Sequence, residues 1–388
     1  MKRVPILYIV ILTITSQVFV SCSSISSSRG TAGNDAVLRN MTIGVNELYK
    51  GHYNEAKKVF TKVAIDVGAV WGDSAEAKKA RSLWYEESSK PFKGEPYERM
   101  MAFYYTGLLY LMSHDYGNAQ AAFRNSVMQD AFAEEDQNRA DVMLPVFLQG
   151  WALQRQGSLN AAQNAYDLVK KIRPDIQLPS MKDPPNVLII AETGNSPRKV
   201  SDGVGSFQLR FFRGKKFKEK RVSYSLNGRK SIELYPIEDI FWQAASRGGR
   251  AVDKIIDGKV AFKSSVEGLG LALSEASRSL LYTGGHGGSG SQEGFGRALG
   301  VIGVGALVLS AYAKPAVDDR YWDNLPDIVH IAAIDLPPGK HSLDFTFQDM
   351  EGHSVLKEKT VNLEIPEDRN HSKVVWISSR NRISKKYH

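Results

Sequence analysis

The chain is 388 residues long, 43% hydrophobic, with 50 Lys and Arg against 42 Asp and Glu, a formal charge of +8. That length allows two or three domains with ample buried core. Its single cysteine, Cys22, excludes an internal disulfide, so the fold must stand on its packing. Basic residues are scattered except at 213–221 and 380–386, which read as solvated basic strand and a ragged terminus rather than a nucleic-acid surface. Electrostatic contact with anionic lipid or glycan is the alternative for these two runs.

In chain order, Lys2 and Arg3 precede a charge-free run, 4–20, and Ser21 stands before Cys22. This is the layout of a secretory signal. Its ending, Phe-Val-Ser-Cys, resembles the lipobox of bacterial lipoproteins, with Phe19 where such boxes usually carry Leu, Val or Ile. The resemblance implies removal of 1–21 and acylation of Cys22 on sulfur and nitrogen. Two or more acyl chains make anchoring stable, whereas one is marginal. A cleaved signal with a free thiol and an uncleaved helix are the alternatives. Residues 22–34 then read as a Ser-rich linker, too polar to order itself. The linker's r.m.s. reach is ~19 Å. Ser23 after the cysteine favours the periplasmic face of the outer membrane by the sorting rule of enteric bacteria.

Residues 35–178 read as helical repeats. Gly44, Ala56 and Phe60 recur as Gly107, Ala119 and Phe123 and again as Gly150, Ala162 and Tyr166, spaced twelve then four each time. Turn residues fall between the helices at Gly51-His52-Tyr53, Asp115-Tyr116-Gly117 and Gly157-Ser158-Leu159. The pattern resembles the tetratricopeptide (TPR) repeat, a helix-turn-helix unit of about 34 residues. Small residues let the paired helices approach, and the aromatic fills the gap between them. An insertion, 66–91, separates the first two units and contains a helical stretch. First helices of such repeats line a concave face. Here that face would carry Met101, Tyr104, Leu108, Phe147 and Trp151, either as a peptide groove or covered by the 66–91 insertion, since a bare apolar patch is a liability.

The segment Gly94-Glu95-Pro96-Tyr97-Glu98-Arg99 resembles a signature of an uncharacterised family of bacterial tetratricopeptide-repeat lipoproteins. So do 191–199, Ala-Glu-Thr-Gly-Asn-Ser-Pro-Arg-Lys, and the Asp-x-Arg-x-Trp-x-x-Leu-Pro block from Asp318 to Pro326. The resemblance implies architecture and location, not chemistry. Physically, Pro96 suits a first helical position and Glu95 and Glu98 suit the first turn. Asp318, Arg320 and Trp322 form the densest polar cluster. These three read as ion pairing and core filling, or else as a ligand site; Glu95 and Glu98, grouped with them as a possible polar cluster, read as helix-start residues, or else as an acid-base or cation-binding pair.

Pro179, Pro184 and Pro185 mark a linker, after which the pattern turns to strands: 186–192, 206–212, 218–226, 329–336, 341–348, 354–363 and 373–379. Residues 186–388 thus read as a β-sandwich-like domain carrying an insertion, 250–315, of Gly-rich helical hairpin type. Within it, 298–313 is uncharged over sixteen residues. As a helix that segment would run ~24 Å, short of the ~30 Å of a bilayer core. It reads as a buried hairpin helix, a membrane-dipping segment or a self-association element.

No phosphate loop, His-Glu-x-x-His, cysteine pair or Gly-x-Ser-x-Gly elbow occurs, so no catalytic residue, metal ligand or cofactor is assigned. The fold class expected is α+β. The function expected is a membrane-anchored envelope lipoprotein acting as a non-enzymatic protein-interaction scaffold. Its partners would be other envelope proteins and, through acylated Cys22, the lipid bilayer; nucleic acid is not among them, and the oligomeric state is open. A regulator of peptidoglycan synthesis or envelope assembly, a secretion or pore component inserting 298–313, and a cell-wall glycan or lipid hydrolase using Glu95, Glu98 or Asp318 are the alternatives.

Overall fold

The computed structural model describes residues 35–69, 91, 92, 94–131, 142–202, 208–245, 318–368 and 372–386. The expectations for Cys22 and its leader, for the insertion beyond Ala69, and for 250–315 with its 298–313 segment lie outside these residues. Helices and sheets are both present, so the chain is α+β. Among the described residues no helix is long and apolar enough to cross a membrane.

Among the described residues six helices come first: α1 (Ala36–Tyr49), α2 (Tyr53–Ala69), α3 (Pro96–Met112), α4 (Tyr116–Ala131), α5 (Met143–Arg155) and α6 (Leu159–Ile172). They pair in order, and each pair turns over three residues. Gly51 and Gly157 take left-handed backbone in the first and third turns, φ +77° and +79°, and His114 does so in the second, φ +59°. The recurring small-small-aromatic pattern has a physical meaning in each pair. A Cβ placed on Gly44 would lie 2.6 Å from the Phe60 ring, on Gly107 2.5 Å from Phe123, and on Gly150 2.7 Å from Tyr166. Ala56, Ala119 and Ala162 are fully buried beside these rings.

The start of α3 is set locally. Pro96 stands in its first turn, and Glu95 and Glu98 form a reciprocal capping box. The start of α5 is set from a distance. Its N-cap, Val142, offers no side-chain acceptor, and Glu238 supplies one from the sheet, taking hydrogen bonds from the N–H groups of Met143 (2.9 Å) and Leu144 (3.2 Å).

The strands are β1 (Val187–Thr193), β2 (Arg198–Asp202), β3 (Gln208–Phe212), β4 (Arg221–Leu226), β5 (Ile232–Glu233), β6 (Tyr235–Asp239), β7 (Ile328–Ile334), β8 (Gly339–Gln348), β9 (Lys359–Ile365) and β10 (Lys373–Ser378), with a short α7 (Ile240–Ala245) after β6. They form one four-stranded sheet in the order β10-β1-β7-β6, a second in the order β5-β4-β8-β9, and a β2-β3 hairpin. Among the described residues only β1 and β10 run parallel; the other pairs are antiparallel.

The central strand β1 is buried on both faces, which is why it reads as a continuous apolar run. Leu188 and Ile190 join the core formed with the helices. Val187, Ile189 and Ala191 join a second core with Val222, Leu343, Phe345 and Phe347 of the other sheet. Helices, first sheet and second sheet therefore stack as three layers.

The strand expected over 354–363 begins only at Lys359, because the preceding residues form a wide turn closed by a Gln348–Ser354 bridge. Strands β2, β5 and β6 and helix α7 lack a clean alternation and were not anticipated.

His330, on β7, is buried, with Nε2 3.2 Å from Thr193 Oγ1 and Nδ1 unpartnered. Burial pushes its pKa down to about 3. The folded state thus resists a proton that the unfolded chain takes up near pH 6.5. The associated stability is complete above that value and is lost as pH falls toward 3. Relative to the parent, His330→Leu is expected to gain about 2 kcal/mol between pH 7 and pH 5, read from urea unfolding at both values.

Candidate functional site

A concentration of buried polar groups lies where the start of α3 meets β2 and the segment leading to β7. It is built from the three sequence blocks singled out above, which are far apart in the chain. The capping box at the start of α3 contributes Glu95 and Glu98. The turn after β1 and strand β2 contribute Ser196 and Lys199. The segment leading to β7 contributes Asp318, Arg320 and Trp322.

Lys199 Nζ lies 2.7 Å from Glu95 Oε1, with both side chains only 3% exposed. The same ammonium donates to the carbonyl oxygen of Arg320 at 3.2 Å. Glu98 accepts two main-chain N–H groups, from Glu95 at 2.6 Å and from Trp322 at 2.7 Å. Arg320 donates to Asp318 (2.8 and 2.7 Å) and to Asp35 at the start of α1 (2.7 Å). Ser196 Oγ donates to the Trp322 carbonyl at 2.6 Å. The Trp322 ring is fully buried against Phe60 and Tyr105, at centroid distances of 6.1 and 5.8 Å.

Burial pushes the Glu98 carboxyl up to about 7; Lys199 opposes this and neighbouring Glu95 adds to it. Burial works against the Lys199 charge, but Glu95, Asp318 and Glu98 outweigh it and hold the ammonium above its usual range. A carboxyl near neutrality is the kind of group that acid-base chemistry needs. Here, however, both of its oxygens are engaged by main-chain amides, and the side chain has no exposure. Clefts of about 440, 450, 460 and 410 Å³ lie elsewhere among the described residues, and none of these four is lined by Glu95, Glu98, Asp318, Arg320 or Trp322. The structure places these five residues together, and their bonds tie the start of α3 to β2 and to the segment leading to β7.

A second buried node centres on Glu192 of β1. It accepts hydrogen bonds from the hydroxyls of Tyr104 and Tyr105 and from Trp376 Nε1, each at 3.1 Å, and pairs with the Arg382 guanidinium. Burial and Glu192 together push both tyrosine hydroxyls well above their usual range.

The groove expectation needs correction. Met101, Tyr104, Leu108, Phe147 and Trp151 are all buried, and they share a core with Leu188, Ile190 and Ile331 of the first sheet. The sheet's helix-facing side, together with Trp376 against Tyr49 (5.2 Å) and Ser372 near Trp151 Nε1 (3.4 Å), occupies that face. This cover comes from the C-terminal half; the insertion expected as cover, 66–91, lies beyond Ala69 almost wholly outside the described residues. The reading of 380–386 as a ragged basic end also fails. Arg382 and Ser384 are buried, and Ser384 exchanges two hydrogen bonds with the Asn46 side chain on α1.

Sequence reasoning missed Glu192, Lys199 and Arg382. The first two sit inside a quoted block, but a lone Glu in a strand and a Lys near its end carry no spacing signal. Only the buried partners reveal them.

Among the described residues one potential metal-ligating trio exists, Asp349, Glu351 and His353 in the β8–β9 turn. It is at the surface, and Asp349 already accepts the His353 N–H at 2.8 Å. No family model, curated protein or solved structure matches this chain.

Proposed function

We propose that the chain is an acyl-anchored protein of the bacterial cell envelope that works by contact rather than by catalysis. In this reading the helical half is a three-unit repeat of TPR type, and the two four-stranded sheets form a β-sandwich-like domain. Cys22 carries the anchor. The observation that carries the non-enzymatic part is the state of the motif carboxylates. Glu95 and Glu98 are buried, one ion-paired to Lys199 and the other held by main-chain amides. A hydrolase needs its acid and base open to the substrate. Because the helical groove is filled from within, contact with other envelope proteins falls to the outward surfaces of helices and sheets.

Two measurements test the reading. Metabolic labelling with a radioactive fatty acid should mark the wild-type chain, and Cys22→Ser should lose the label completely. Persistent label on Cys22→Ser, or none on the wild type, sinks the anchor. For catalysis, Glu98→Gln removes the ionisable carboxyl while its single amide oxygen still accepts from one of the two main-chain N–H groups, so, with folding checked by circular dichroism, it should leave envelope glycan and phospholipid turnover unchanged. A specific loss of turnover would make the chain an enzyme.

A further inference from the structure

The two basic runs that stand apart in the sequence meet in space. Residues 213–220 form the connection from β3 to β4, and the tail reaches it through Arg380, which pairs with Glu219. This connection is rigidly built. Gly214 lies so close to the turn after β1 that a Cβ on it would fall 2.3 Å from the Asn195 carbonyl oxygen. Asn195 Nδ2 donates to the Lys215 carbonyl at 2.8 Å. The Phe217 ring packs beside Gly194, where an added Cβ would lie 2.7 Å from it. Arg213 and Lys220 close on Asp327 at 2.5 and 2.8 Å.

Between these fixed points Lys216 adopts φ +64°, a left-handed backbone that a lysine does not choose unaided. The result is an outward display. Lys215, Lys216 and Lys218 are exposed, and none is in an ion pair among the described residues. Lys216, Phe217, Lys218 and Arg380 border a cleft of about 410 Å³. Arg213, Lys220, Arg221 and Arg380 are each paired with a carboxylate, so the unspent charge of the 213–221 run lies on these three lysines.

We propose that the lysine loop docks onto the anionic phospholipid surface of the membrane that holds the chain. This rests on the acyl-anchor reading. The charge is complementary, at about 1 kcal/mol or a factor of ~5 per lysine near such a surface. The reach also fits. Asp35, where the segment from Cys22 arrives, bonds Arg320, and the path onward to Lys215 runs through Trp322, Ser196 and Asn195. Twelve residues separate Cys22 from Asp35. At full extension they span at most ~42 Å. An anchor at Cys22 therefore lets this face lie on the bilayer.

The test uses the processed chain, residues 22–388, with Cys22→Ser so that no acyl chain contributes. Co-sedimentation should show binding to phosphatidylcholine vesicles containing about 30% phosphatidylglycerol, no binding to pure phosphatidylcholine, and loss of binding at high salt. Lys215→Gln/Lys216→Gln/Lys218→Gln should weaken binding ~100-fold. A control of equal charge change on the helices, Lys58→Gln/Lys62→Gln/Lys171→Gln, should stay within about 2-fold of the parent. Equal binding to both vesicles, an unaffected loop variant, or equal losses in the two triple variants would each overturn the assignment. The mass of the native N-terminus settles acylation separately, so a failed anchor and a failed loop are told apart.

Discussion

Replacing Arg382 by methionine is expected to cost about 3–5 kcal/mol of folding stability, the usual penalty for stranding one partner of a buried ion pair. Arg382 is 7% exposed. Besides Glu192 it donates to Ser378 Oγ at 2.9 Å and to the carbonyls of Gly194 and Asn324, both at 3.3 Å. Methionine fills much of the same volume but leaves the Glu192 carboxylate without a cation. Adding Glu192→Gln should recover more than about 1 kcal/mol, because the neutral amide oxygen can still accept from Tyr104 and Trp376 while its NH2 donates to the Tyr105 hydroxyl oxygen, with no charge left stranded. Urea midpoints at constant m-value measure both changes. Additive losses in the double variant would show that the pair is not coupled.

Gly107→Ala is the second large effect, and its sign runs against helix propensity. At a typical interior helical position alanine gains up to about 1 kcal/mol over glycine. Here the new methyl would sit 2.5 Å from the Phe123 ring, so one helix must shift or the ring must leave its rotamer. Overpacking of this kind costs about 1–3 kcal/mol. Gly44→Ala and Gly150→Ala should behave alike, since their rings sit 2.6 and 2.7 Å from the same imagined atom. A compensating Phe123→Leu should make the Gly107→Ala penalty smaller than in the parent, read from thermal midpoints of the four proteins. Stabilisation by Gly107→Ala alone would mean that the helices are not held this closely.

The helical half was legible because its packing rule is local. Gly, Ala and an aromatic at fixed spacing declare which faces touch, and all three triplets meet as pairs. Strands β1, β4, β7, β8 and β10 were legible for a similar reason, as alternating or continuous apolar runs close to their observed bounds. Illegible was the relation between the two halves. An apolar helix face looks the same in sequence whether it awaits a guest or a neighbouring sheet, and β1 discloses its double burial only through the residues opposite it. The polar cluster was half legible. Glu95, Glu98, Asp318, Arg320 and Trp322 stood out by density, yet their meeting point is set by Lys199 and Ser196, which no spacing singles out. Arg382 was hidden by its surroundings, since a basic tail usually belongs to solvent.

The bond pair between Asn46 and Ser384 joins positions 338 residues apart. The two partners can meet only after everything between them has been made. The helices therefore emerge with their sheet-binding side bare and must wait for the sheet before it is shielded. Such long-range closure makes folding slow and leaves adhesive surface open meanwhile. Until Ser384 joins Asn46, that bare side is open to neighbouring chains.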